Sequence, residues 1–172
     1  MSKLITIVDE NNNVVGSATH QKAQKEGLWH RIVVVHVFNS KSKIFIQKRS
    51  PNADSSPNMW DHSAAGHVDA DETPENAAKR ELKEELGINS DRLSYLSTYK
   101  TQRKSGNKIF NRYWYLYCFS YDGKVNLQED EVATGKFVDI NWLKKNIEQN
   151  PRIYTDGLKK SFQVYLDSKR DS

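Results

Sequence analysis

The chain has 172 residues, 37% of them hydrophobic and 28% charged, which suits one folded domain with a sizeable core and argues against a disordered chain. Its 26 basic and 22 acidic residues leave a net charge of +4, too mild to argue for nucleic acid but compatible with a polyphosphate ligand. Cys118 is the one cysteine, so no intrachain disulfide forms. No apolar run approaches the roughly 20 residues that span a bilayer, and the run at Leu4–Val8 is too short for a secretory signal. A cytoplasmic protein is expected, without membrane association and without nucleic acid as a partner.

In chain order, Lys3 to Val8 reads as a strand and Val14 to Ala18 as its hairpin partner, with turn chemistry at Asn11-Asn12-Asn13. Thr19 to Glu26 is polar, a short helix or loop ended by Gly27. Arg31 to Phe38 is β-branched and apolar and makes the best central strand. Lys43 to Lys48 alternates, with Ile44 and Ile46 on one face, and Pro51 to Pro57 is a loop. Leu93 to Gln102 and Lys108 to Ser120 read as strands joined at Ser105-Gly106-Asn107. The second of these is crowded with aromatics, which favours sheet packing over a base-stacking platform. Gln128 to Thr134 is an acidic loop, Gly135 to Val138 a short strand, and Ile140 to Ile147 a helix expected to bury Trp142 and Leu143. Leu158, Phe162, Tyr165 and Leu166 space a final amphipathic helix. Strands with interspersed helices place the chain in the α+β class.

Residues 66 to 88 carry the chemistry. Thr73 is a good N-cap, Pro74 suits the first helical position, and Gly87 suits the left-handed stop, so a helix is predicted from Pro74 to Leu86. At about 100° per residue, Glu81, Glu84 and Glu85 share one face, and Ala78, Leu82 and Leu86 form a separate apolar stripe. Three carboxylates toward a helix C-terminus repel one another and oppose the helix dipole. A solvated acidic face is the plain reading of such a helix. The alternative is that a cation offsets the charge, and clustered carboxylate oxygens suit a hard divalent ion such as Mg²⁺.

The spacing decides between these readings. Gly66, Glu72, Arg80, Glu81, Leu82, Glu84, Glu85, Gly87 and Ile88 fit G-x5-E-x7-R-E-U-x-E-E-x-G-U, with U aliphatic, at every position. The stretch resembles the signature of the Nudix hydrolase superfamily. That resemblance implies one domain over residues 1–172, an α/β/α sandwich around a mixed sheet, and cleavage of a diphosphate linkage by water with Mg²⁺ or Mn²⁺. It implies metal binding by Glu81, Glu84, Glu85 and the Gly66 carbonyl. Arg80 is expected to orient Glu72 or Glu81. Glu85 is the first candidate for the general base. The acidic loop supplies the rivals, Glu131 and Glu129.

A narrower resemblance runs through Leu28-Trp29-His30-Arg31, Gln47-Lys48-Arg49-Ser50 and Trp60 to Val68. It is similar to the branch that holds isopentenyl-diphosphate isomerase and its hydrolase relatives. That isomerase uses a cysteine before the Gly-His pair, histidine metal ligands and two glutamates on a later strand. Here Ala65 stands in the cysteine position, and Phe110-Asn111-Arg112-Tyr113 carries neither acid. Without those groups, proton addition and removal at an alkene lack their acid/base pair. Hydrolysis of a nucleoside diphosphate derivative or related pyrophosphate is therefore expected ahead of isomerisation, and ahead of a non-catalytic nucleotide- or RNA-binding module. Arg49, His30 and His67 are the candidate substrate contacts. Arg31 and Lys48 are weaker ones, and His20, His36 and His62 have no assigned role. The oligomeric state stays open, a homodimer included.

Overall fold

The computed structural model describes residues 3–128 and 130–170. Among the described residues nine strands form one mixed sheet: β1 (Leu4–Val8), β2 (Val14–Thr19), β3 (Trp29–Phe38), β4 (Ile44–Arg49), β5 (Trp60–Asp61), β6 (Ala64–His67), β7 (Ser94–Ser105), β8 (Lys108–Ser120) and β9 (Val132–Val138). The helices are α1 (His20–Glu26), α2 (Pro74–Leu86), α3 (Ile140–Gln149) and α4 (Asp156–Arg170), with a 3₁₀ turn at Pro151–Ile153.

The β-branched run of β3 makes it the hub. It pairs antiparallel with β1, β4 and β6 and parallel with β8, from His30↔Arg112 to Phe38↔Ser120. β4 carries β5 and β9, and β7 pairs along β8 as a long hairpin. Alternation along the strands then divides two cores. Val33, Val35, Val37 and Tyr117 pack with Ala77, Ala78, Leu82 and Leu86 of α2. Ile32, Val34, Trp114 and Leu116 pack on the opposite face with Leu143 of α3 and Leu158, Phe162 and Tyr165 of α4. This is the expected helix–sheet–helix sandwich.

Several local expectations shift. Trp142 is 43% exposed, and Leu143 alone of that pair is buried. Leu143 packs on the sheet with Ile140 beside it, and Trp142, about 100° away round the helix, turns outward, where Lys136 sits over its ring at 5.1 Å. The strand expected from Gly135 begins at Val132. The polar segment after Thr19 is a helix, capped by the Thr19 hydroxyl, which accepts from Lys22 N, and ended by Gly27 in the left-handed region. Among the described residues no helix is long and apolar enough to cross a membrane.

Candidate active site

Helix α2 starts and stops where its caps dictate. The Thr73 side chain accepts from Asn76 N, and Gly87, at φ 65°, returns its N–H to the carbonyls of Leu82 and Lys83. Residues 64–67 pair with β3 across Val35↔Ala64 to Ile32↔His67, which brings the 65–66 backbone under α2. A Cβ built at Gly66 would collide with the Glu81 carboxylate, so glycine there lets backbone and carboxylate meet.

The three glutamates do not share one environment. Glu81 and Glu85, one turn apart, are only 9% and 6% exposed. The Glu84 side chain is 51% exposed and turned to Arg80 at 3.2 Å. The buried stripe of α2 is thus wider than Ala78, Leu82 and Leu86, and it takes in two of the three acids. Among the described residues, no three His, Cys, Asp or Glu side chains converge as a metal-ligand set. The reason is visible in the rotamers. Arg80 draws Glu81 and Glu84 to its guanidinium, and Glu85 is held by the Gln47 amide, which donates to its Oε2, and by Ala65 N–H at 3.4 Å.

Arg80 is the hub of the loop. Its Nε and Nη2 donate to the two Glu72 oxygens, each at 3.0 Å, in a bidentate pair. Nη1 donates to Glu81 Oε1 at 2.6 Å, and Nη2 also reaches the His67 carbonyl at 2.9 Å. Both partners expected of Arg80 are therefore engaged at once. Burial works against its charge, but Glu72 and Glu81 outweigh that and hold it firmly protonated.

Burial pushes Glu81 up to about 7 against the pull of Arg80, and pushes Glu85 well above its ordinary value, with Glu81 adding to the effect. A raised acid binds its proton more tightly folded than unfolded. Its contribution to stability is complete below the unfolded pKa and is lost as pH rises through about 7. The buried histidines slope the other way, since burial lowers His30 and His36 to about 4 and about 3. They cancel when a variant is compared with wild type. Without divalent metal, Glu81→Gln should gain stability relative to wild type by an amount on the order of 2 kcal/mol between about pH 5 and about pH 8. Melting curves at those two values check this, and a difference that stays flat with pH would contradict it.

The donor chemistry fits a hard divalent cation. Two buried carboxylates and the backbone of Gly66 lie against one another, and oxygen donors with excess negative charge are what Mg²⁺ and Mn²⁺ take.

The other expected site residues lie elsewhere. Arg49 Nε donates to the Ser55 carbonyl at 2.8 Å and Nη1 to Asp61 Oδ2 at 3.1 Å, which pins loop 51–59. Asp61 in turn accepts from Thr155 Oγ1 at 2.7 Å, tying β5 to the start of α4. Burial pushes the Asp61 carboxyl up, but His62 and the Thr155 hydroxyl outweigh it and hold it well below the usual range. Arg31 is spent on Asn12, at 2.8 Å to the side chain and 2.6 Å to the carbonyl. Glu131 is exposed just before β9, where its carbonyl accepts from Ser50 N, and the same loop crosses the end of α2 through Gln128 N to Glu85 O at 3.2 Å. Glu129 lies outside the described residues. His30 and His67 sit together, ring centroids 5.4 Å apart, on the sheet face away from α2. Gln47 and the Ala65 N–H are site groups that the sequence did not single out. Their only signal was membership of the segments that carry the narrower resemblance.

Cys118 pairs with His36 at the far end of β8, and burial raises its thiol to about 11. Cys118→Ser should leave turnover unchanged, and steady-state rates of the folded variant that fall to background would overturn this.

Helices on both faces of this mixed sheet, with the glutamate helix set against a glycine-bearing strand, define a Nudix protein. The NUDIX domain family matches residues 28–157, and the chain belongs to it. It is 35% identical to the uncharacterized Nudix hydrolase lmo0368 of Listeria monocytogenes over 157 residues, 88% of this chain and 90% of that one. It is 29% identical over 156 residues to isopentenyl-diphosphate Delta-isomerase 2 of Aromatoleum aromaticum, 90% of this chain and 82% of the isomerase. The crystal structure of DR0079 from Deinococcus radiodurans superposes with a TM-score of 0.75 at 23% identity, covering 95% of this chain and 99% of that one.

Proposed function

We propose that the protein is a metal-dependent hydrolase of a phosphoanhydride, acting on a nucleoside diphosphate derivative or a related organic pyrophosphate. The observation that carries this reading is the buried pair Glu81 and Glu85 against the backbone of residues 65 and 66. Glu81, Glu85, the Gly66 carbonyl and, once turned from Arg80, Glu84 would hold Mg²⁺ or Mn²⁺. Bound there, the cation would offset the charge that builds on the phosphate oxygens and make water more acidic.

The chain's own groups supply the rest. Burial and the neighbouring Glu81 raise the proton affinity of Glu85, so once a cation offsets the charge of the site its carboxylate would be a stronger base than an exposed one toward an attacking water. Gln47 and the Ala65 N–H fix its carboxylate, and Arg80 fixes Glu81. Glu131 is the rival base. Arg49 enters as the anchor of loop 51–59, and His30 and His67, on the other face of the sheet, would meet only a part of the substrate remote from the cleaved bond.

Isomerisation is the second reading, favoured by the relatives named as isopentenyl-diphosphate isomerases. Two positions weigh against it. Ala65 supplies no thiol, and Arg112 places a cation opposite His30. Nucleoside triphosphates, dinucleoside polyphosphates, nucleotide sugars, NADH, coenzyme A and prenyl diphosphates, each assayed with Mg²⁺ and with Mn²⁺, test the proposal. Metal-dependent cleavage of at least one anhydride is expected, and no cleavage across the panel would refute it.

A further inference from the structure

On the sheet face away from the glutamates, the pairings His30↔Arg112 and Ile32↔His67 set three basic side chains side by side. His20, at the start of α1, closes the group. Its ring lies 4.2 Å from that of His67 and 6.3 Å from that of His30.

Arg112 is the unusual member. Its guanidinium lies over the Phe110 ring at 4.7 Å and the Trp114 ring at 5.6 Å. Its Nε is buried without a hydrogen-bond partner, and among the described residues it has no carboxylate partner. A largely buried cation without an anion is costly unless a ligand brings one. The imidazoles add a second requirement. His30 is fully buried, and its Nδ1 faces the Leu28 carbonyl at 3.0 Å, the place of an N–H donor. That leaves its Nε2 as a lone pair, and both His30 Nε2 and His67 Nε2 are buried without a partner. The cluster therefore lacks an anion for Arg112 and a hydrogen-bond donor for His30.

A divalent metal does not answer both needs. Arg112 acts on all three rings as a repelling cation, Lys108 adds to it at His20 and Lys3 at His67. A carboxylate answers only the first need. A phosphate group answers both. Its oxyanions suit a guanidinium fork, and its monoanion, which the His30 lone pair would favour over the dianion, carries an O–H to donate.

We propose that Arg112, with His20, His30 and His67, forms a pocket for a terminal phosphate group, separated by the sheet from the α2 carboxylates. The pocket rests on the hydrolase reading only for where that phosphate comes from, the substrate's own unreacted end or free inorganic phosphate.

The test is a titration of the full chain in EDTA, followed by NMR of the histidine ring signals. Inorganic phosphate should shift His20, His30 and His67 saturably and leave His36 and His62 in place. Sulfate, which has no O–H at neutral pH, should bind more weakly. Arg112→Gln should weaken phosphate binding at least about tenfold, and Arg112→Lys, which keeps a point charge, by less. ADP shifting the same three signals would assign the pocket to a substrate phosphate, and a response to inorganic phosphate alone would assign it to the free ion. Rings indifferent to phosphate, equal affinity in Arg112→Gln, or a response to Mn²⁺ but not to phosphate would overturn the proposal. The titration needs no turnover. Anhydride cleavage with indifferent rings would retire the pocket and leave the hydrolase, and phosphate binding without cleavage would do the reverse.

Discussion

Glu85→Gln should cut turnover by roughly 10²-fold or more, about 2.7 kcal/mol of transition-state stabilisation. The substitution keeps the shape of the side chain but removes its charge and its capacity to take a proton. Glu85 is the most constrained acid of the site, 6% exposed and held by Gln47 and the Ala65 N–H, so little else in the site should move. The effect on stability should run the other way. Burial and the neighbouring Glu81 both disfavour the Glu85 charge, so the metal-free variant should melt no lower than wild type at alkaline pH. Kinetics and melting curves on one preparation separate the two effects. Glu131→Gln should cost less, and a larger loss there would move the base to the acidic loop.

Arg80→Met should cost about 3 kcal/mol of stability, the largest such effect expected from one substitution here. Methionine replaces most of the stem but leaves Glu72 without its bidentate partner and Glu81 with no cation beside it. Glu72 is held below its ordinary range despite burial because Arg80 donates to it, so its share of stability is present near neutral pH and lost on acidification. Urea unfolding in EDTA reads the loss. A change within about 0.5 kcal/mol would mean that Arg80 behaves as an ordinary surface residue.

Helix α2 was legible to the residue because its ends are written locally, in Thr73, Pro74 and Gly87. The central place of β3 was equally plain, since a long β-branched run has few other fates. Strand β6 was not legible. Ala64 to His67 has little intrinsic preference for strand, and pairing with β3 makes it one. The helical wheel put Glu81, Glu84 and Glu85 on one face but could not say how much of that face the sheet covers. The answer, two acids buried and one out, depends on Gly66 letting the backbone rise to Glu81. Arg49 looked free in the sequence because its partner, Asp61, and the Thr155 that completes the network are joined only by folding. The His20, His30, His67 and Arg112 group was hidden for the same reason, since its members come from α1, β3, β6 and β8.

Hydrolysis, rather than isomerisation or binding without turnover, is the central claim. It is tested most directly by incubating the phosphoanhydride panel, isopentenyl diphosphate included, with Mg²⁺ in isotopically labelled water and following the products by NMR and mass spectrometry. The account predicts Mg²⁺-dependent cleavage in which the new phosphate oxygen comes from water, and no allylic isomer of isopentenyl diphosphate. Formation of that isomer, or intact anhydrides throughout with either Mg²⁺ or Mn²⁺, would contradict it.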